Sequence, residues 1–303
     1  MTFGEQFLRS PALFPARIAG ETFGSASFTL DLPGGPYRIE GLSAVQRTSL
    51  ETRYGDQRPA ISDRPLVQLI VHRVAAEDFL EIDTRGWEYN LDYSSTDSSV
   101  SLAGLRLAAR LELGRDRAGI WTPVEDPAEF WGVVENVLRP LLALRLLLTG
   151  GLLVHSAAVS LDGRGFVFAG RSNAGKSTIA RMAVSCRQPV LSDDLNAIVP
   201  VGDRFVIAPL PFTGDLEPWE VSRIAVPLAA IIGLEKGTGE ALRSISRGEA
   251  VSLLVRSAPY VNHDPLRIPL LLDRAAEIAA AASTALLTFR REGDIWPILQ
   301  SLP

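Results

Sequence analysis

The pattern of apolar and polar positions differs between the two halves of the chain. In the first 125 residues, short apolar runs, several with partial alternation, predict strands, and one amphipathic stretch predicts a short helix. The strands are predicted at 25–32, 65–74, 86–94, 99–113 and 118–123, and the helix at 42–54. This half is therefore predicted to be an α+β domain, residues 1–125, of unknown role, with substrate or partner recognition as one option.

Apolar strand runs alternate with helical repeats in residues 126–303, which predicts an α/β domain with a largely buried sheet. Asp126 and Pro127 form a helix-start pair, and the helix is predicted to reach about Leu148 with a kink at Pro140. The remaining predictions are strands at 190–200, 204–210, 226–236 and 284–292, a helix at 272–283 capped by Asp273, and a short helix at 294–302.

Composition narrows the classes of function. The chain has 47% hydrophobic residues and a net charge of −5. The negative net charge argues against a nucleic-acid or acidic-membrane partner. Its single cysteine, Cys186, fits a reducing cytoplasm. The most apolar stretch, 138–159, is interrupted by arginine, proline and glycine and is too short to span a membrane. We predict a cytoplasmic protein whose oligomeric state stays open, a homo-oligomer included.

The segment 166–183, FVFAGRSNAGKSTIARMA, has the form of a strand, a glycine-bounded loop and a helix. The loop matches the Walker A pattern, in which backbone N–H groups and the helix dipole hold nucleotide phosphates. A chance match to this pattern is the alternative. The pattern requires a lysine, and the chain has only two, Lys176 and Lys236, which makes a chance match rarer. We predict ATP binding, with Mg²⁺ on the Ser177 hydroxyl. The predicted nucleotide-binding residues are Gly170, Arg171, Ser172, Asn173, Ala174, Gly175, Lys176, Ser177 and Thr178.

Asp193 and Asp194 are predicted to add the carboxylates that phosphoryl transfer needs. They follow Lys176 by 17 and 18 residues, enough for one helix and a return into a neighbouring strand that ends at the phosphates. Adjacent strand residues face opposite sides, so the pair can divide two roles. We assign Mg²⁺ to Asp193, together with Ser177, and the catalytic base to Asp194. The order of the two roles stays open, and an Asp-Asp turn is the alternative.

His155 is predicted to lie beside the mouth of the loop. Asp162-Gly163 is a hairpin turn dipeptide, so Leu161 pairs with Arg164 and His155 falls opposite Gly170. A shift by one turn residue places it opposite Ser172 instead, and a buried core histidine is the alternative.

Three other charged or titratable residues are weaker candidates for a functional role. His72 lies within an apolar strand run, so a structural histidine is the favoured interpretation. Arg256 and His263 occur in a predicted loop that could face a substrate, although solvated loop residues are the simpler interpretation.

The segments VHSAAV, GRSNAGKST and LSDD resemble the catalytic domain of the bacterial HPr kinase/phosphorylase family, and related kinase-like proteins of peptide-tailoring clusters look closer still. The resemblance covers about residues 130–303. It implies the P-loop kinase fold shared with phosphoenolpyruvate carboxykinases and phosphoryl transfer from ATP to a serine of a protein or peptide. It also implies catalytic roles for Lys176, one of Asp193 and Asp194, and His155.

The sequence departs from that family at the loop, where Asn173 and Thr178 replace a usual glycine and glutamate. The family's C-terminal signature is not found. The phosphate acceptor and any reverse phosphorylase activity therefore stay open. A Mg²⁺-dependent serine kinase is the favoured hypothesis, and a nucleotide-gated peptide-binding protein with little turnover is the alternative.

Overall fold

A computed structural model describes residues 20–55, 66–75, 91–104, 106–212, 214–217, 221–291 and 293–302. The chain divides into two compact units, Met1–Leu141 and Leu142–Pro303. The division falls inside a long helix, while the domain boundary expected from the sequence, after residue 125, lies just before that helix. Each unit contains its own mixed β-sheet with few helices, so the fold class is mixed α/β.

The strands described in the first unit form one seven-stranded sheet in the order β1-β2-β3-β7-β6-β5-β4. The β2–β3 and β3–β7 pairs are parallel and the other pairs are antiparallel. The strand predicted at 86–94 coincides with β4 only from Asp92, because 86–90 lie outside the described residues. The strand bounds are β1 Ala26–Leu32, β2 Gly35–Leu42, β3 Val67–Arg73, β4 Asp92–Ser95, β5 Ser99–Gly104, β6 Leu107–Glu112 and β7 Arg117–Thr122.

Local capping explains where the first helix, α1 (Ala44–Tyr54), begins. The Ser43 hydroxyl accepts from the Gln46 N–H at 3.2 Å, and the Gln46 side chain accepts from the Ser43 N–H at 3.0 Å. This reciprocal pair satisfies two N–H groups that the first helical turn leaves unpaired. Leu50 and Tyr54 are buried one and two turns further on, so the helix presents one apolar face to the sheet.

The long helix α2 (Pro127–Leu148) begins where the sequence predicts. The Asp126 carboxylate accepts from the Ala128 N–H at 2.9 Å, which confirms the predicted cap. The helix continues through Pro140. No helix in the described part of the chain is both long enough and apolar enough to cross a membrane.

The second unit places five strand ends at one edge of its sheet. Strands β9, β13 and β15 are mutually parallel, β8 runs antiparallel to β9, and β10 runs antiparallel to β8. The carboxyl ends of β9, β10, β13 and β15 and the beginning of β8 therefore meet at this edge, which is where ligands bind in such sheets. The bounds are β8 Leu152–Leu161, β9 Arg164–Ala169, β10 Val190–Ser192, β11 Leu195–Val201, β12 Arg204–Ala208, β13 Val226–Lys236, β14 Ala241–Ser244 and β15 Ser283–Phe289.

The β8–β9 hairpin has the register predicted from its turn. Leu161 pairs with Arg164, and the ladder continues to Ser156 opposite Ala169. Asp162 and Gly163 both have positive φ, 52° and 75°, as a two-residue primed turn requires.

Helices cover the sheet of the second unit and close its core. The apolar face of α3 packs with side chains of β8, β9 and β15 in one buried cluster. The helix bounds are α3 Lys176–Ser185, α4 Arg247–Ser257, α5 Ile268–Ala280 and α6 Trp296–Gln300, and a 3₁₀ turn spans Val261–His263.

Three predictions about local structure are wrong in this unit. The strand predicted at 190–200 is interrupted at Asp193 and Asp194, where the chain leaves β10 and enters β11. Asp273 does not cap a helix, because α5 begins at Ile268 with Pro269 in its first turn. Arg256 lies in α4 rather than in a loop, because a capping box starts that helix at Ser246.

Candidate functional site

A polar cavity of about 560 Å³ lies at the edge where the strand ends of the second unit meet. Its walls come from the beginning of β8, the loop after β9, the Asp193–Asp194 bend and the end of β13. The lining residues are His155, Ser172, Asn173, Gly175, Lys176, Ser177, Thr178, Asp193, Asp194, Gly214, Asp215 and Lys236.

The loop between β9 and α3, residues 170–175, is called the glycine loop here, and its backbone explains its residue types. Gly175 has φ 112°, and a Cβ there would lie 2.6 Å from the Phe289 ring. Asn173 also has positive φ, 62°, a conformation that asparagine adopts more readily than most residues. The asparagine at a position where the resembled family usually has glycine therefore suits the loop backbone.

Lys176 begins α3 and folds back over the glycine loop. Its Nζ donates to the carbonyl oxygens of Gly170 and Arg171 at 3.3 and 3.4 Å, and only 7% of the residue is exposed. Burial lowers the pKa of Lys176 below its ordinary value of 10.5, while the Asp194 carboxylate raises it. A buried ammonium on the wall of a cavity favours an incoming anion.

Asp194 and His155 face each other across the cavity mouth. The His155 Nε2 atom lies 3.7 Å from Asp194 Oδ1, which is beyond hydrogen-bonding distance. Burial and then the Lys176 ammonium lower the pKa of His155 below 6.5, although Asp194 raises it. Burial therefore favours the neutral imidazole, and the Asp194 carboxylate, one-quarter exposed, lines the cavity.

Asp193 is held differently from its neighbour. Only 5% of the residue is exposed, and its two carboxylate oxygens accept from the backbone N–H groups of Gly214 and Asp215 at 3.1 and 2.7 Å. The two adjacent aspartates therefore have different surroundings, because the Asp193 carboxylate is held by backbone N–H groups whereas the Asp194 carboxylate lines the cavity near His155, as expected for successive residues at a strand end.

Gly214 leaves no room for a side chain beside the two hydrogen bonds that hold the Asp193 carboxylate. A Cβ at this position would lie 2.9–3.0 Å from the Asp193 carboxylate atoms. We expect Gly214→Ala to displace this carboxylate and to lower the free energy of unfolding by roughly 1–3 kcal/mol, as for other overpacked sites. Urea unfolding of both proteins measures the difference.

Gly239→Ala is the matched control, because a Cβ at Gly239 has no atom within 4 Å and its backbone is not left-handed. The control is expected to leave stability unchanged or slightly raised. Equal stabilities of the two variants would contradict the close packing of Gly214 against the Asp193 carboxylate.

The structure brings His155, Lys176, Ser177, Asp193 and Asp194 to one cavity. Of the remaining predicted loop residues, Gly170 and Arg171 contribute the carbonyls that Lys176 contacts, and Ala174 lies within the loop without lining the cavity. The roles assigned to all of these residues remain predictions.

Other residues singled out in the sequence lie away from the cavity. Arg256 and His263 do not line it. His72, in the other unit, is half-buried, stacks on Trp121 with ring centroids 5.4 Å apart, and lies 3.3 Å from the Gly20 carbonyl oxygen. These contacts support its structural interpretation.

Sequence reasoning missed Gly214, Asp215 and Lys236 as cavity residues. Lys236 carried a signal, because it is one of only two lysines in the chain and ends a predicted strand, which places it beside the glycine loop. Gly214 and Asp215 carried none, since they reach the site through a contact with Asp193, more than twenty positions earlier.

The donor set fits a phosphate-bound Mg²⁺ better than a metal held by protein alone. Among the described residues, no three histidine, cysteine, aspartate or glutamate side chains are grouped closely enough to hold a metal ion. Mg²⁺ in phosphate sites takes one or two protein oxygens and completes its shell with phosphate and water. The Ser177 hydroxyl and the carboxylates of Asp193 and Asp194 line one cavity and can supply such oxygens.

Fold and cavity together define a mixed α/β protein with a polar cavity at the strand ends of its second unit. The chain belongs to the family described as SynChlorMet cassette protein ScmC, whose model matches residues 125–283. No curated protein matches the sequence. Among solved structures, the Hpr(Ser) kinase/phosphatase from Coxiella burnetii is similar over 50% of this chain and 92% of its own, with 11% identity and a TM-score of 0.28.

Proposed function

We propose that the second unit is a P-loop kinase that transfers the γ-phosphate of ATP to a hydroxyl group, with a serine of a protein or peptide as the acceptor. The observation that carries the proposal is the shared cavity. It combines a glycine loop with a buried lysine, Lys176, and a cavity-lining carboxylate, Asp194. A phosphate-binding loop alone would suit any nucleotide-binding protein. A carboxylate on the same cavity adds a proton acceptor for a hydroxyl nucleophile.

The chemistry requires four groups of this chain. The acceptor oxygen attacks the γ-phosphorus and forms a P–O bond, while the bond from the γ-phosphorus to the β–γ bridging oxygen breaks and ADP leaves with its electron pair. The Asp194 carboxylate takes the hydroxyl proton. Lys176 and the glycine-loop N–H groups stabilise negative charge on the phosphates, and His155 supports the base, with its Nε2 atom 3.7 Å from Asp194 Oδ1.

Mg²⁺, when bound with ATP, would neutralise phosphate charge beside Ser177 and Asp193. Asp193 suits this role because its carboxylate is fixed by the backbone of Gly214 and Asp215, and each oxygen retains a second lone pair. Fixed ligands position a metal without further ordering on binding.

A phosphate-transfer assay tests the proposal. The full chain is incubated with γ-labelled ATP, Mg²⁺ and a peptide library with one fixed serine, and a matched library with alanine at that position is the control. We expect label in the serine library alone, because transfer needs a hydroxyl.

Two other results would contradict the kinase. If the label stays in ATP with every library although ATP binds, the protein is a nucleotide-gated binding protein. If free phosphate is released at the same rate with or without a peptide, the acceptor is water and the protein is an ATPase.

A further inference from the structure

A second cavity, of about 480 Å³, lies against the outer face of α3 and is called the side pocket here. One wall is a single face of α3 that includes Thr178, Arg181 and Met182, residues that share a face because they are three or four positions apart. Cys186, just past the helix end, extends this wall. The opposite wall comes from the segment after β15 and includes Arg291 and Trp296.

The side pocket adjoins the polar cavity of the candidate site. Thr178 lines both cavities. In addition, Arg181 of the side pocket forms an ion pair with Asp215 of the polar cavity, with Nη2 and Oδ2 3.4 Å apart. A molecule that occupies the polar cavity can therefore extend past Thr178 into the side pocket.

The two cavities differ in chemistry in the way that the two ends of a nucleotide differ. The polar cavity carries Lys176, Lys236 and carboxylates. The side pocket also has one carboxylate, Asp294, but combines it with the Met182 thioether, the largely buried Trp296 ring and two exposed arginines. Thioether and aromatic groups contact a flat apolar ring well, and guanidinium groups stack on aromatic faces. A volume of this size lies within the usual range for small-molecule sites.

We propose that the side pocket holds the nucleoside, base and ribose, of the triphosphate whose phosphates occupy the glycine loop. The inference rests on the proposed function for the phosphate end. The reactive γ-phosphate must lie near Asp194, so the α-phosphate and the nucleoside extend in the opposite direction, past Ser177 and Thr178. Among the described residues, the side pocket is a cavity that adjoins the polar cavity at Thr178.

The single cysteine of the chain offers a direct test. Cys186 is exposed and lies on the wall of the side pocket, so a maleimide adds once and intact mass reports its rate. We expect saturating ATP with Mg²⁺ to slow this alkylation at least fivefold. Inorganic tripolyphosphate with Mg²⁺, which lacks a nucleoside, should leave the rate unchanged. Calorimetry in parallel shows whether each compound binds.

The possible results separate this inference from the proposed function. If ATP binds and Cys186 reacts at its free rate, the side pocket is not the nucleoside site. If tripolyphosphate protects as well as ATP, the protection arises at the loop and the inference is again overturned. If neither compound binds, the nucleotide site itself is absent and the proposed function fails.

A second variant tests the pocket without alkylation. Met182→Trp should fill the side pocket and weaken ATP binding at least tenfold while the affinity for tripolyphosphate stays the same, which also shows that the variant is folded. Ile224→Trp, at a residue 72% exposed and outside both cavities, is the matched control and should change neither affinity. Equal losses for both ligands in Met182→Trp would contradict the nucleoside site.

Discussion

Lys176→Ala is expected to weaken ATP binding by about 10- to 100-fold, because hydrogen bonds involving charged groups contribute roughly 1.5–3 kcal/mol. Phosphate transfer should fall further, by about 10²–10³-fold, since the ammonium also stabilises charge that develops in the transition state. Calorimetry with ATP and the peptide-library assay measure the two effects.

Lys236→Ala provides the matched control for this experiment. It removes the same charge from the same cavity, but at an exposed position at the end of β13. A much smaller loss is expected, because an exposed charge is screened by solvent. Equal losses in the two variants would show that the cavity responds only to its total charge, and the specific role of Lys176 would be wrong.

Asp194→Asn is expected to reduce phosphate transfer by about 10²–10⁴-fold, the usual contribution of a general base. The amide has nearly the shape of the carboxylate but cannot take the proton. ATP binding should be unchanged or tighter, because a negative charge near the nucleotide phosphates is removed. A rate close to that of the unmodified chain would exclude Asp194 as the base.

The neighbouring variant Asp193→Asn should behave differently. Its amide NH₂ would face the N–H group of Gly214 or Asp215, so two hydrogen-bond donors would face each other at a buried site. Loss of folding stability, by roughly 1–3 kcal/mol for an unsatisfied buried group, is therefore expected in addition to any loss of rate. If Asp194→Asn destabilises the protein and Asp193→Asn does not, the assignment of Asp193 as the fixed metal ligand and Asp194 as the base is reversed.

Local signals in the sequence account for much of the second unit. The Asp162-Gly163 turn determines the β8–β9 register, because the turn type fixes which residues pair, and the register in turn directs His155 to the cavity. Asp126 predicts the start of α2 through one side-chain hydrogen bond. The glycine loop is readable for the same reason, since its glycines are required by the backbone they occupy.

The features that sequence reasoning missed depend on tertiary contacts or on overlooked caps. No local pattern links Gly214 to Asp193, because the contact forms only when the chain returns to the sheet edge. Helix α4 carries a readable signal in the Ser246 and Glu249 capping box, and the assignment of Arg256 to a loop ignores that signal. The apolar residues around Asp193 and Asp194 predict one continuous strand, because they do not reveal the bend.

The close approach of Phe289 to Gly175 has a consequence for how fast a ligand can be captured. The aromatic ring occupies the space in which any side chain at position 175 would lie. The end of β15 therefore packs against the glycine loop and restricts its conformation. The loop is then shaped when the protein folds, before any phosphate arrives. Phosphate binding should therefore be a single encounter without a slow rearrangement, and its observed rate should rise in proportion to ligand concentration without reaching a plateau.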